Sequence, residues 1–234
     1  MSLFSRLLLL ASLLLTTACG PSIPAGEIAV KPKAETPSTV TDLTGALTNP
    51  QLATLTAPDR FQVLFDTTQG TFTVSVDRSL SPNGADRFYN LVKMGFYDDV
   101  ACFRVIDGFI VQFGLNGDPA VNAAWENATI PDDPVAATNV RGTLTFATAG
   151  PNTRTTQLFV NLGANQQLDR MGFSPFGAVT EGMDVVERLY GGYGEGAPTG
   201  SGPNQTKIQE WGNDYLRSNF DKLDYLTTAT VIEP

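Results

Sequence analysis

The chain has 234 residues, 42% of them apolar and 14 of them Phe, enough to build one domain around its own core. Its 15 Lys plus Arg stand against 24 Asp plus Glu, a net charge of −9, and no basic cluster follows the first residues, which argues against a nucleic-acid partner. The absence of His removes imidazole-based triads and His-ligated zinc as usually built, and with Cys19 and Cys102 as the only cysteines no disulfide framework is available.

In chain order, Arg6 and the apolar run from Leu7 to Leu15 have the layout of a secretory signal over residues 1–18, and the run is too short to span a bilayer. Thr16, Thr17 and Ala18 lead into Cys19 and Gly20, which resembles the bacterial lipobox, where the chain is cut before a cysteine and lipid is added to its sulfur. The expectation is a protein of the cell envelope, held to a membrane through Cys19 and facing the periplasm. The outer membrane is preferred because Gly20 stands where an inner-membrane lipoprotein often has Asp. Residues 19–58 are rich in Pro, Thr, Ala and Ser and read as a flexible tether, with a short packed helix over 43–55 as the lesser alternative. The globular domain is expected over 59–234.

That domain opens with two alternating runs, Phe61 to Asp66 and Thr71 to Val76, broken at Gln69-Gly70, which predicts a β-hairpin. After Ser81-Pro82, the spacing of Ala85, Phe88, Leu91 and Val92 predicts a helix that stops before Gly95. Short apolar runs over 103–112, 142–148 and 157–162, separated by Gly, Pro and Asn, read as strands, and Cys102 beside the first reads as a buried, inert thiol. Met183, Val186, Leu189 and Tyr190 predict a second helix over 182–190. A T-x-x-Q box at Thr206, followed by Ile208, Trp211 and Tyr215, predicts an inserted helix, and β-branched residues over 227–232 predict a closing strand. Strands dominate, so the fold class is mainly β, a closed barrel or a sandwich.

Six segments in register carry a resemblance. Phe103-Arg104-Val105-Ile106-Asp107-Gly108-Phe109-Ile110-Val111-Gln112 resembles the F-H-R-x-I-x-G-F-M-x-Q segment of the cyclophilin-type peptidyl-prolyl isomerases, and Phe146-Ala147-Thr148-Ala149-Gly150-Pro151-Asn152-Thr153 resembles their M-A-N-A-G-P-N-T segment. Gln157-Leu158-Phe159-Val160, Leu168-Asp169, Phe176-Gly177-Ala178-Val179 and Glu181-Gly182-Met183-Asp184-Val185-Val186 follow in family order. The resemblance implies a closed eight-stranded antiparallel barrel capped by two helices, with the helix near the C-terminus as an insertion. It implies catalytic roles for Arg104 and its supporting Gln112, a proline pocket of Phe109, Ile110, Phe159 and Leu168, and a peptide groove at Ala147, Thr148 and Gln157.

Three positions depart from the family pattern. Phe173 stands where the family has a pocket histidine, which makes the pocket more apolar. Gln167 replaces a tryptophan and removes the indole donor used for cyclosporin. Thr148 replaces an asparagine.

The implied chemistry suits a chain without His. Rotating an X-Pro bond breaks amide resonance at a barrier of about 20 kcal/mol, but no proton leaves and no covalent bond forms. In the twisted state the proline nitrogen regains its lone pair and accepts a hydrogen bond, so a fixed guanidinium binds that state better than the planar substrate. No metal or cofactor is called for, the partners are proline-containing polypeptides, and a monomer is expected. The alternative is a scaffold or chaperone on the same fold that binds proline peptides with little turnover.

Overall fold

The computed structural model describes residues 45–232, so the signal segment, Cys19 and the tether as far as residue 44 lie outside the described residues. Strands β1 (Arg60–Thr67) and β2 (Gly70–Asp77) form the expected hairpin, with Phe61, Val63 and Phe65 alternating into the core. Phe65 faces Phe72 across the ladder, their rings stacked at 4.7 Å. Gly70, at φ 122°, turns the chain where a side chain would be strained.

The remaining strands are β3 (Val100–Ala101), β4 (Arg104–Ile106), β5 (Ile110–Phe113), β6 (Thr143–Phe146), β7 (Leu158–Asn161), β8 (Pro175–Glu181) and β9 (Tyr225–Ile232). They join the hairpin in one antiparallel sheet of nine strands, ordered β3-β9-β1-β2-β8-β6-β7-β5-β4. The expected closed barrel of eight strands is therefore corrected to a curled sheet of nine, whose ladder ends at β3 and β4. Only Cys102 and Phe103 separate these two ends, so Ala101 and Arg104 lie at most about 11 Å apart and the sheet must curl until its edges approach. Inside the curl, Phe65, Phe88, Phe113, Phe146, Phe176 and Tyr97 are buried; each such side chain contributes about 1.5–3 kcal/mol by leaving water. Cys102 is buried as expected, and burial pushes its thiol far above the usual range.

Helix α1 (Pro82–Lys93) buries Ala85, Phe88, Leu91 and Val92 against the sheet. Its N-terminus is held from a distance: the Asp133 carboxylate accepts from the Asn83 and Gly84 amides and from the Ser81 hydroxyl, and Arg154 donates to it at 2.9 Å. Helix α2 (Pro119–Trp125), capped by Asp118, was not signalled by apolar spacing because it is only seven residues long. Helix α3 (Met183–Arg188) is shorter than expected; Leu189 is buried beyond its end, and the Tyr190 amide donates to Asp224.

Helix α4 (Gln205–Asn219) is the expected insertion, but Asn204 rather than Thr206 caps it, accepting from the Lys207 amide. It kinks at Gly212, φ 57°, where a Cβ would lie 1.9 Å from the Gly117 carbonyl oxygen. Ile208 is buried while Trp211, expected on the same face, is 59% exposed.

Residues ahead of the first strand pack on the domain instead of forming a tether as far as 58. Two 3₁₀ turns, Ala46–Thr48 and Pro50–Leu52, stand where a short helix was the alternative. Ala46 is buried, the Trp125 indole donates to the Leu47 carbonyl at 2.7 Å, and Asn90 bonds both backbone groups of Leu55. The Ala57 amide donates to Asp86. Among the described residues, packing on the domain thus reaches back at least to Ala46.

Candidate active site

The site grows from the β4–β5 hairpin. Gly108 turns it at φ 66°, the Phe109 amide closes it onto the Ile106 carbonyl, and the register sets Arg104 directly opposite Gln112. Arg104 Nη1 donates to Gln112 Oε1 at 2.9 Å, and Gln112 Nε2 donates to Gln157 Oε1 at 2.9 Å. Three of the expected residues therefore form one hydrogen-bonded chain across two strands and a neighbouring loop.

On its other edge the guanidinium meets Glu195, with Nε and Nη2 each donating to the carboxylate at 2.7 Å. The Arg104 bond holds the Glu195 carboxyl below its usual range against partial burial, and the Gly196 amide adds to the effect. A guanidinium has five N–H donors. Among the described residues, these bonds engage Nε and one donor on each terminal nitrogen, which leaves one N–H on Nη1 and one on Nη2.

Beside this fork lies an apolar cluster. Ile110, Phe159 and Leu168 are buried together, with Phe109, Ala147 and Phe173 packed against them. Phe159 and Phe173 meet edge to face at 5.7 Å, and the Arg104 guanidinium carbon stands 5.7 Å from the centroid of the Phe109 ring. Strand pairing makes the juxtaposition unavoidable: Gln112, which holds Arg104, is the ladder partner of Phe159. The cluster's floor is set by a buried polar network. Asn139 bonds the Asp169 carboxylate and the Phe173 carbonyl, and accepts from Thr145 and Asn161. Asn165 donates to the Phe109 carbonyl and to Asn161. These bonds fix the 3₁₀ helix Gln166–Met171, which carries Leu168. Asp169 is thereby engaged as a structural acceptor.

Of the residues expected from the resemblance, Thr148 stands apart. Its hydroxyl is engaged within its own turn, paired with Gly150 and at 2.8 Å with Thr153. Gln167, in the place of the family tryptophan, is exposed. Glu195 and the three asparagines were missed by sequence reasoning. A charged residue inside the glycine-rich run 191–202 was the available signal for Glu195; the asparagines carry none, because each acts through contacts distant in sequence.

The arrangement sets a fixed, partly accessible cation, paired on one edge with the Glu195 carboxylate, beside an apolar cluster.

Comparison with known proteins agrees. The model of the family described as cyclophilin type peptidyl-prolyl cis-trans isomerase matches residues 62–213. The chain is 32% identical over 137 residues to peptidyl-prolyl cis-trans isomerase-like 1 of Rhizopus delemar, covering 56% of this chain and 81% of that protein. It is 30% identical over 132 residues to peptidyl-prolyl cis-trans isomerase A of Dickeya dadantii, covering 54% and 70% respectively. The crystal structure of a cyclophilin-type isomerase from Cryptosporidium parvum superposes with a TM-score of 0.54 at 19% identity, over 75% of this chain and 99% of that one, a likeness of fold. With a family model spanning more than half its length, the chain belongs to the cyclophilin-type peptidyl-prolyl cis-trans isomerases.

Proposed function

We propose that Arg104 is the electrostatic catalyst of X-Pro isomerisation in this protein and that the cluster of Phe109, Ile110, Phe159 and Leu168 grips the proline ring. The observation that carries this reading is the guanidinium beside that cluster, three of its donors held and one on each terminal nitrogen left for a ligand. A planar prolyl nitrogen cannot accept a hydrogen bond; a pyramidal one can, so the donor acts on the twisted state alone. Phe173 encloses the recess on a further side and leaves it without an ionisable group. Gln157, Ala147 and the backbone at Thr148 line the approach for the flanking peptide.

The proposed substrates are X-Pro bonds of exported polypeptides, whose slow isomerisation limits folding on a scale of tens of seconds. The proposed location is the periplasmic side of a membrane, the outer one preferred, with lipid on Cys19 and the domain acting as a monomer. The test of the chemistry is Arg104→Ala in a proline-limited refolding or peptide assay. The expected fall in kcat/KM is about 100-fold, the scale of losing one preorganised donor, and a fall under about fivefold would remove Arg104 from the mechanism.

One observation favours a second reading, a peptide-binding scaffold of low turnover: the Glu195 carboxylate offsets the charge of Arg104. Wild-type protein that binds a proline peptide yet fails to accelerate isomerisation would establish it.

A further inference from the structure

We propose that Glu195 is a positioning residue for this reaction, holding the Arg104 guanidinium in one plane beside Phe109 and the apolar cluster, with an N–H on each terminal nitrogen left for the substrate. This rests on the isomerase reading above.

The loop between α3 and α4 is built around Glu195. Its carbonyl accepts from the Gly202 amide at 2.9 Å, the Ala197 amide closes onto the Gly202 carbonyl at 3.1 Å, and the Gly200 amide onto Gly196 at 3.0 Å. A Cβ on Gly200 would lie 2.1 Å from the Glu195 carbonyl oxygen, and one on Gly202 would lie 2.9 Å from it. The backbone therefore folds onto this residue too closely for any side chain at 200. At the other end of Glu195, the Gly196 amide donates to Oε1 at 2.9 Å, which pins the carboxylate independently of Arg104. The loop is anchored in turn: Tyr193 packs edge to face on Tyr190 and Phe220 at 5.1 and 5.0 Å, and its hydroxyl donates to Asp221. A Cβ on Gly191 would touch Val105 of β4 at 3.4 Å, so the loop starts against the strand that carries Arg104.

The consequence is a two-sided clamp. Gln112 holds Nη1 from β5, and Glu195 holds Nε and Nη2 from the loop, so the guanidinium cannot rotate about its last torsion without breaking bonds on both sides. A free arginine samples many rotamers, and its fork is effective only when that freedom has already been removed. The pair is part-buried, 41% exposed at Glu195 and 18% at Arg104; with its carboxylate open to water it contributes little to stability, so its effect is expected in turnover rather than in the melting temperature.

The experiment measures peptide isomerisation, peptide Kd and Tm for the full chain, Glu195→Gln and Gly200→Ala. Glu195→Gln keeps the shape but sets an amide NH2 against a guanidinium N–H and so breaks one arm of the fork. The expected result is a fall in kcat/KM of about tenfold, the scale of a misplaced catalytic group, with Kd and Tm unchanged. Gly200→Ala, which displaces the loop and leaves the carboxylate intact, is expected to lower kcat/KM in the same direction. Active wild type with Glu195→Gln unaltered or faster overturns the positioning role alone. A loss of turnover matched by a loss of Tm also overturns it, because the role is then structural. Wild type without turnover overturns it together with the isomerase reading.

Discussion

Arg104 and Gln112 stand directly opposite each other on β4 and β5 and share a hydrogen bond of 2.9 Å, while the other end of the Gln112 amide holds Gln157. The catalytic donor of the proposed mechanism is therefore set by a strand register. A one-residue slip of the hairpin would send Arg104 to the opposite face.

Gln112 is buried, so Gln112→Leu strips a bond from Arg104 and leaves the Gln157 amide oxygen without its donor. The expected cost in stability is about 1–3 kcal/mol, with kcat/KM falling about tenfold. Urea unfolding and the peptide assay measure the two effects; unchanged turnover would mean that Glu195 alone suffices to hold the fork.

Leu168 belongs to the apolar cluster proposed to grip the proline ring and is 8% exposed. Leu168→Ala should weaken proline-peptide binding measurably while destabilising the fold by about 2 kcal/mol, the low end of such truncations because the wall borders the surface. Titration by NMR with a proline peptide reads the first effect; unaltered Kd would remove Leu168 from the pocket.

Asp133 governs the acid behaviour. Burial raises its pKa, but bonds from Ser81, the Asn83 and Gly84 amides and Arg154 outweigh that and hold the carboxyl below the usual range. A carboxyl whose folded value lies below its unfolded value, near about 4, adds stability that is complete above that pH and is lost as pH falls through the folded value. Asp86, held down by Arg78 against its own burial, adds to the same slope. Asp133→Asn should cost about 3 kcal/mol near neutral pH, since it leaves the buried Arg154 only the more exposed Asp132 at 3.5 Å as a charge partner, and should flatten the acid dependence. Equal acid slopes in wild type and Asp133→Asn, measured by thermal melts, would acquit Asp133.

Cys19, outside the described residues, carries the anchoring proposal. Cys19→Ala should move the protein from the membrane to the soluble fraction and abolish labelling by radioactive fatty acid. A mutant that fractionates like wild type would end the lipobox reading.

Much of the fold was legible because it is local. The first hairpin follows from period-two alternation around Gln69-Gly70, α1 from the spacing of Ala85, Phe88 and Leu91, and the closing strand from its β-branched run. The recess was legible for a different reason: its members lie in short segments whose order resembles a known family, and all but Thr148 come together as that order implies. Where readings failed, a distant contact overrode a local pattern. The helical period beyond Trp211 is broken at Gly212, where the backbone passes Gly117 too closely for a side chain, and the run over 46–57, read mainly as tether, is bonded by Trp125, Asn90 and Asp86.

By itself, then, the sequence determined the first hairpin, the strands over 143–146 and 158–161, the closing strand and the first helix, and named the members of the apolar cluster and the Arg104 chain, since propensity, alternation and motif order act over a few residues. Only the tertiary structure decided that Glu195 clamps Arg104 across 91 residues, that the sheet curls open-ended with nine strands, and that residues from Ala46 onward pack against Trp125, Asn90 and Asp86. Hydrogen bonds and close backbone approaches between segments remote in the chain leave no periodic trace in it, because each depends on where the whole core has already placed both partners.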